Sequence, residues 1–232
     1  FNRTVLAEIA RDIDPESPEE QGKTLIYAVD DQHADMIVSI LKEIYSETGV
    51  DNDAIMKITG SVGGGNKKKV QEAIKRFKNE RYPSIVVTVD LLTTGIDVPE
   101  ITTLVFMRRV KSRILFEQML GRATRLCPEI HKTHFEIYDP VGVYDSLEPV
   151  NTMKPVVTDP NTTFMQLIDG LEVIDNEEKV RNQINQIIAK LQRKKRKMSS
   201  EMMSHFTDMT GGLEPTQYID KLENEPIDVA KN

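Results

Sequence analysis

Hydrophobic positions along the chain follow two periodicities. Short β-branched and aromatic runs predict strands at 24–29, 54–58, 85–89, 103–107 and 133–138. Between them, apolar residues recur every three or four positions, which predicts amphipathic helices after the first, second and fourth strands. The order strand, helix, strand, helix, strand, strand, helix, strand predicts an α/β domain with a mostly parallel sheet and right-handed crossovers.

A polar segment follows the third predicted strand. Residues 86–99 read VVTVDLLTTGIDVP, so that the strand is followed by Thr93, Thr94, Gly95 and Asp97. Ligands of open α/β sheets gather at the carboxyl ends of the strands. We therefore expect these four residues to lie at that edge of the sheet.

A second polar segment, residues 118–125, reads QMLGRATR. Gln118, Arg122 and Arg125 stand at offsets of four and three, and they share one helical face if the helix continues that far. Two guanidiniums directed at one place suit an anion, because each offers a planar fork of donors to phosphate oxygens. The alternatives are a solvated basic face, or arginines that pair with acidic residues of their own domain.

Together the two segments resemble motifs V and VI of superfamily 2 helicases and translocases. VTVDLLTTGIDVPEI followed by FEQMLGRATRLCPEI is similar, more closely, to the motor subunit of type I restriction enzymes. This resemblance extends from Phe1 to Tyr144 and is most specific between Ser84 and Tyr138. It implies a RecA-like domain of the P-loop-NTPase type, followed by a small α-helical C-terminal segment.

The resemblance also implies roles for residues of the two segments. It places Arg122 and Arg125 at the γ-phosphate of ATP that is held on a partner domain, with Gln118 aligning the water or the triphosphate. Gly95 and Asp97 match positions that couple the nucleotide, often through its ribose, to the nucleic-acid track.

Nucleic-acid contacts are expected from two places. The second predicted strand runs into Thr59 and Gly60, then three glycines and the lysines Lys67–Lys69. This is either a solvated loop or a set of amides, hydroxyls and ammonium groups that meet phosphates. The resemblance favours contacts from Thr59 and Gly60, and it implies that Thr93 and Thr94 offer hydroxyls to either ligand.

One residue departs from the family pattern, and one motif is misleading. Val89 precedes Asp90 where many relatives have threonine, and Thr88 lies on the opposite face of the strand. The segment 22–24, Gly-Lys-Thr, imitates the end of a P-loop. However, Ser17 stands where the first glycine is needed, and the segment enters a strand instead of leaving one.

The sequence contains no complete P-loop, no Asp-Glu metal box after a strand, and no Cys or His cluster at ligand spacing. We therefore predict no metal site, and we expect ATP and Mg²⁺ to be bound mainly by a domain outside this chain. By itself the chain is expected not to hydrolyse ATP.

Composition bounds the remaining possibilities. The 232 residues allow one well-cored domain with an appendage or two small domains. A net charge of −7 argues against a dedicated DNA-binding module, although Lys67–Lys69 and Arg193–Lys197 are local basic runs. Cys127 is alone, which excludes an internal disulfide and favours a reducing, cytoplasmic location. No apolar run suits a membrane span, and the start at Phe1 suggests a piece of a larger protein.

Four segments are expected along the chain: a lead-in at 1–22, the second RecA-like domain at 23–145, a proline-rich linker at 146–172, and a helical segment with a tail at 173–232. Asp31 is the expected N-cap of the first long helix, and His33 beside it is expected to have only a local or surface role. Asp175 and Glu178 are expected to form a capping box in the last segment.

The resulting hypothesis is a fragment of the restriction subunit of a type I system, in which ATP hydrolysis drives translocation of double-stranded DNA before cleavage. The implied partners are double-stranded DNA, the first RecA-like domain of the same polypeptide, and the methyltransferase and specificity subunits. The alternatives are the corresponding domain of another superfamily 2 DNA or RNA helicase, and a non-catalytic α/β module that binds nucleic acid or protein.

Overall fold

The computed structural model describes residues 1–46, 48–89, 97–132, 134–144, 156, 162–174 and 176–230. The chain divides into two compact units, Phe1–Asn151 and Thr152–Asn232. The helices described in the first unit are α1 (Asn2–Ala10), α2 (Pro18–Gln21), α3 (Asp31–Ser46), α4 (Val62–Gly65), α5 (Lys67–Asn79) and α6 (Arg113–Leu120).

The first unit is built on a five-stranded sheet in which every pair of neighbours is parallel. Its strands are β1 (Lys23–Tyr27), β2 (Ile55–Lys57), β3 (Ile85–Thr88), β4 (Ile101–Phe106) and β5 (Glu136–Tyr138). The strand order is β2-β3-β1-β4-β5. All five predicted strands are therefore present with shifted ends, and the predicted α/β class with a parallel sheet is confirmed.

Helices cover both faces of this sheet, because successive strand residues point to opposite sides. Leu25 and Tyr27 of β1 pack with residues of α5 and α6, including Phe77 and Phe116. The residue between them, Ile26, belongs to a second cluster with residues of α1 and α3. Burial on both faces explains why the strands are continuous apolar runs.

The first ten residues contribute to this core, although a lead-in was expected there. Leu6 and Ile9 lie on one face of α1 and are 0% and 5% exposed. They pack in the same cluster as Ile37 of α3. On the surface, the Arg3 guanidinium donates to both carboxylate oxygens of Glu43 at 2.7 and 2.8 Å.

The N-terminus of α3 is capped by Asp30 and not by Asp31, which corrects the expectation. An Asp30 carboxylate oxygen accepts from the His33 amide at 2.8 Å. The imidazole of His33 accepts from the Val29 amide at 3.1 Å, a local role as expected. With two adjacent aspartates, the sequence did not determine which one begins the helix.

Lys23, in the Gly-Lys-Thr segment, is bound inside the protein. Its side-chain nitrogen donates to the carbonyl oxygens of Phe77 and Glu80, at 2.5 and 2.6 Å. These carbonyls lie at the C-terminal end of α5, where helical carbonyls lack intrahelical partners. Lys23 thus caps the C-terminal end of α5. This contact agrees with the prediction that the Gly-Lys-Thr segment is not a P-loop.

The second unit contains helices packed around their own apolar cluster. They are α7 (Phe164–Val173), α8 (Glu177–Lys195), α9 (Ser200–Met209), α10 (Pro215–Asn224) and α11 (Ile227–Ala230). Val180, Ile184 and Ile188 of α8 are central to the cluster. The cap of α8 is Asn176, which accepts from the Lys179 amide, so the predicted Asp175–Glu178 box is wrong. In the described part of the chain, no helix has the length and apolar character that crossing a membrane requires.

Candidate functional site

Helix α6 ends too early for Gln118, Arg122 and Arg125 to lie on one helical face. It ends at Leu120, where the Gly121 amide donates to the Glu117 carbonyl at 2.8 Å. Gln118 is exposed in its last turn, whereas Arg122 and Arg125 lie in the irregular segment that follows. The three side chains therefore do not share a helical face, and their proximity depends on the turns after α6.

Arg125 forms an ion pair with Asp97. Its Nη1 lies 2.5 Å from Asp97 Oδ1, and both side chains are partly exposed, at 59% and 38%. The ammonium group of Lys78 lies 3.8 Å from Asp97 Oδ2. The structure thus brings one predicted arginine onto a predicted residue of the other segment, and that arginine is engaged with a carboxylate of its own domain.

Asp97 lies towards the amino-terminal edge of the sheet and not at the carboxyl edge, which corrects the expectation. It precedes β4, and the neighbouring Glu100 carbonyl accepts from the amide of Lys23, the first residue of β1, at 2.7 Å. The reason is topological. Because β4 runs parallel to β3, the chain must return to the amino edge before β4 can begin. Asp97 belongs to the end of that return.

Arg122 lies close enough to the hydroxyl of Tyr27 to act on its pKa. Burial raises the pKa of the Tyr27 hydroxyl, and the positive charge of Arg122 acts in the opposite direction. Arg122 is half-buried, unlike exposed Arg125. Thr93, Thr94 and Gly95 lie outside the described residues.

The predicted nucleic-acid residues Thr59 and Gly60 follow β2 at the carboxyl edge of the sheet. Thr59 is 4% exposed, and its hydroxyl donates to Asp31 Oδ1 at 2.5 Å. Ser61 donates to the same oxygen at 2.7 Å. Lys57 donates to the other oxygen of Asp31 at 2.9 Å. The hydroxyl hydrogen of Thr59 is therefore engaged inside the protein.

These contacts hold the Asp31 carboxyl group ionised. Hydrogen bonds from Thr59, then Lys57 and Ser61, lower its pKa to about 2. A carboxylate that accepts several hydrogen bonds is stabilised in its charged form. Nothing in the sequence around Asp31 indicates this role, because its partners come from another strand and the loop after it and have no local signature.

The loop after Ser61 is compact and ends in positive charge. Gly63, Gly64 and Gly65 all have positive φ. A Cβ on Gly63 would lie 2.3 Å from the Lys69 side chain, so glycine allows that chain to fold over the loop. Lys67–Lys69 form the first turn of α5, whose cap is Asn66. Gly60 is exposed, and its amide donates to no acceptor among the described residues.

The geometry therefore offers two surfaces on one unit. Cationic side chains and Asp97 are grouped near the amino edge of β4, and amides with lysines are grouped at the carboxyl edge of β2. Thr88, which the sequence places on the opposite face of the strand from Val89, is fully buried at the end of β3, so its hydroxyl is not available to a phosphate.

Residues 4–127 match the model of the helicase conserved C-terminal domain. The chain belongs to this family of helicase domains. It is similar to the type I restriction enzyme EcoKI endonuclease subunit of Escherichia coli K12, with 49% identity over 179 residues, covering 76% of this chain and 15% of the relative. For the EcoAI endonuclease subunit of Escherichia coli the identity is 28%, covering 67% of this chain and 20% of the relative. The chain thus spans a fifth or less of these curated relatives.

Solved structures agree with this assignment. A fragment described as an HsdR subunit of a type I restriction enzyme from Vibrio vulnificus YJ016 matches with a TM-score of 0.55 and 28% identity, over 66% of this chain and 30% of that one. Domain 2 of the DEAD-box helicase Mss116p, bound to an RNA duplex, matches with a TM-score of 0.50 and 17% identity. This match covers 99% of this chain and 93% of that one. The second likeness concerns the fold alone. The predicted RecA-like fold and the resemblance to type I restriction subunits are confirmed.

Proposed function

We propose that the chain is the second motor domain of a DNA-translocating type I restriction subunit and supplies arginines to ATP hydrolysis on a partner domain. The observation that carries this proposal is that the segments of Asp97 and Arg125 lie within residues 4–127, which match the helicase C-terminal domain, and that Arg125 stays 59% exposed although it pairs with Asp97. Phosphoryl transfer requires positioning and positive charge around the transferred group. An exposed guanidinium such as that of Arg125 can provide such a charge.

The described residues fit one half of an ATP site. Arg122 and Arg125 offer donors to triphosphate oxygens, Gln118 is exposed nearby in sequence, and Asp97 carries a carboxylate for a ribose hydroxyl. No group of three His, Cys, Asp or Glu suited to a metal ion occurs among the described residues. ATP and Mg²⁺ would accordingly be held mainly by the first RecA-like domain, and Gly95 would complete the link to the nucleotide.

A nucleic-acid backbone is the proposed ligand of the carboxyl edge. The amide of exposed Gly60 and the ammonium groups of Lys67–Lys69 can meet phosphates without reading sequence, and Thr59 would contribute its amide and carbonyl groups. Three lysines in the first turn of α5 oppose the positive end of the helix dipole, which favours a role for them with an anion. Thr93 and Thr94 would extend this contact.

The whole protein's activity and partners rest on similarity to the restriction subunits. We propose double-stranded DNA as the translocated and cleaved substrate, and methyltransferase and specificity subunits as partners. These assignments follow from 49% identity to one endonuclease subunit, of which the chain covers 15%.

The test is ATP turnover by the intact subunit with Arg125→Ala. We expect DNA-stimulated turnover to fall on the order of a thousandfold, by analogy with arginine fingers, while ATP binding persists. Arg125→Lys should restore little, because an ammonium group lacks the planar fork. Arg3→Ala is the matched control, since Arg3 is also exposed and paired with a carboxylate. Unchanged turnover in Arg125→Ala would remove the proposed role.

A further inference from the structure

Positive charge is concentrated where the chain leaves β4. Arg108, Arg109, Lys111 and Arg113 fall within six residues of a chain whose net charge is −7. The amide of Met107, which follows β4, still donates to the carbonyl of Tyr27 at the end of β1, at 2.9 Å. This basic turn, residues 108–111, therefore lies at the carboxyl edge of the sheet, on the same edge as Thr59 and Gly60.

The basic turn is anchored to the core at its centre. Val110 is 3% exposed and packs in the cluster beneath α6. After it, the Ser112 hydroxyl accepts from the Leu115 amide at 3.4 Å and begins the helix. Because Val110 points inward, its neighbours Arg109 and Lys111 remain exposed at the rim.

The cations differ in their partners. Arg113 pairs with Glu117 at 2.7 Å, one helical turn later. Arg108 Nη1 donates to the Val89 carbonyl at 3.1 Å, so its guanidinium reaches across the end of β1, which lies between β3 and β4. In the part of the chain that the structure describes, Arg109 and Lys111 form no ion pair or hydrogen bond.

We propose that the basic turn is a phosphate-contacting element for duplex DNA, with Arg109 and Lys111 as the contacts and Arg108 as a positioned third cation. The proposal rests on the proposed function, whose nucleic-acid edge it extends. The chain is acidic, yet Arg109 and Lys111 are exposed cations at one edge of the sheet. Such cations can bind a polyanion, because their association with phosphates releases counterions.

Sheet geometry relates the basic turn to the loop after β2. Three strand spacings separate β2 from β4, which is about 14 Å. At 3.4 Å per nucleotide along one strand, this distance corresponds to about four nucleotides. Contacts from the two elements to one DNA strand would therefore lie about four phosphates apart, whereas the pair of Arg125 and Asp97 lies towards the opposite edge.

The salt dependence of duplex binding tests this proposal on the 232-residue chain. A fluorescently labelled 20-base-pair duplex is titrated between 50 and 200 mM KCl by anisotropy. For Arg109→Ala with Lys111→Ala, the slope of log affinity against log salt should become shallower by about 1.8, so that the affinity lost over this range is about tenfold smaller. Lys42→Ala with Lys75→Ala removes the same charge from helix surfaces away from this edge, and its slope should equal that of the parent.

Three results would overturn the proposal. The first is an equal change in both double variants while the parent binds duplex. The second is that the variant with Arg109→Ala and Lys111→Ala binds inorganic tripolyphosphate more weakly than the parent does, while its binding to duplex DNA is unchanged. The third is absence of duplex binding by the parent, which would also overturn the proposed nucleic-acid edge. Lys67→Ala with Lys68→Ala separates the two ideas: if only this variant has a shallower slope, the nucleic-acid edge stands and the basic turn is excluded.

Discussion

Asp31 shows how one carboxylate organises a loop from another part of the chain. It accepts hydrogen bonds from Thr59, Ser61 and Lys57, which lie on both sides of the end of β2. Neutral and cationic donors to one carboxylate together fix the direction in which the backbone leaves the strand. The exposed Gly60 amide thereby has a defined position at the edge of the sheet.

The pKa of Asp31 provides a direct measurement of this arrangement. We expect NMR titration of its carboxyl carbon to give a pKa of about 2, and Thr59→Val to raise it towards 3.8, because the Thr59 hydroxyl is the largest cause of the shift. The folded-state pKa is below the unfolded value, so the stabilisation is complete above about pH 4 and is lost as the pH falls through 2. Thr59→Val should accordingly be less stable than the parent at pH 5 and similar to it near pH 2.

Exposed Thr4→Val is the matched control, and it should leave the Asp31 titration unchanged. An Asp31 pKa near 3.8 in the parent would mean that the hydrogen bonds do not form in solution.

At the residue scale, the sequence identified candidate site residues more reliably than it predicted their positions in the fold. The two segments containing Asp97 and Arg125 were recognised, and these residues meet in the structure. Their location was not predictable from strand ends alone, because Asp97 belongs to the return of the chain before β4. Lys23 shows the converse case. The local Gly-Lys-Thr motif imitates a phosphate-binding site, but the Lys23 side chain donates to the carbonyls of Phe77 and Glu80 and has a structural role.

At the scale of elements, strands were more predictable than helix ends. Burial on both faces selects continuous β-branched runs, which are visible in the sequence. Helix ends depend on one side chain among several suitable neighbours, as at Asp30 and Asn176. The early end of α6 had a similar cause, since Gly121 and the residues after it continue as turns.

Helix α5 begins with three lysines, whose charge is unfavourable at the positive end of the helix dipole. We therefore predict that replacing one of them stabilises the fold and weakens DNA binding. Lys67→Glu should raise the free energy of unfolding by about 0.5 kcal/mol, because a carboxylate suits the positive end of the dipole. The same change should weaken duplex binding, since it removes a cation from the carboxyl edge. Urea unfolding and anisotropy measure the two effects on one preparation.

Lys75→Glu in the middle of α5 is the control for Lys67→Glu, and no dipole stabilisation is expected there. Destabilisation by Lys67→Glu, or stabilisation with full DNA binding, would contradict a functional reason for the lysines.

At the scale of the whole molecule, the two surfaces proposed for ATP and for DNA are each incomplete. Under the proposed function, Arg122 and Arg125 supply cations for a triphosphate, and no group of three His, Cys, Asp or Glu suited to a metal ion occurs among the described residues. The resemblance to restriction subunits, which are five or more times longer than the matched region, is consistent with a division of labour between domains.

We predict that the isolated chain hydrolyses ATP no faster than buffer, with or without duplex DNA. Addition of the first RecA-like domain in the same polypeptide should establish turnover that depends on Arg125. Phosphate release measured on the two proteins side by side checks this expectation. Robust turnover by the isolated chain would show that it contains a phosphate cradle of its own.

The opposite placement of Asp97 and Thr59 on the sheet has a mechanical consequence under the proposed function. The six residues of β4 extend about 20 Å, so no side chain can touch both a nucleotide at one edge and a DNA backbone at the other. The stiff parallel sheet would then act as a lever arm, and the work of each ATP cycle would reach DNA as a rigid displacement of the whole layer.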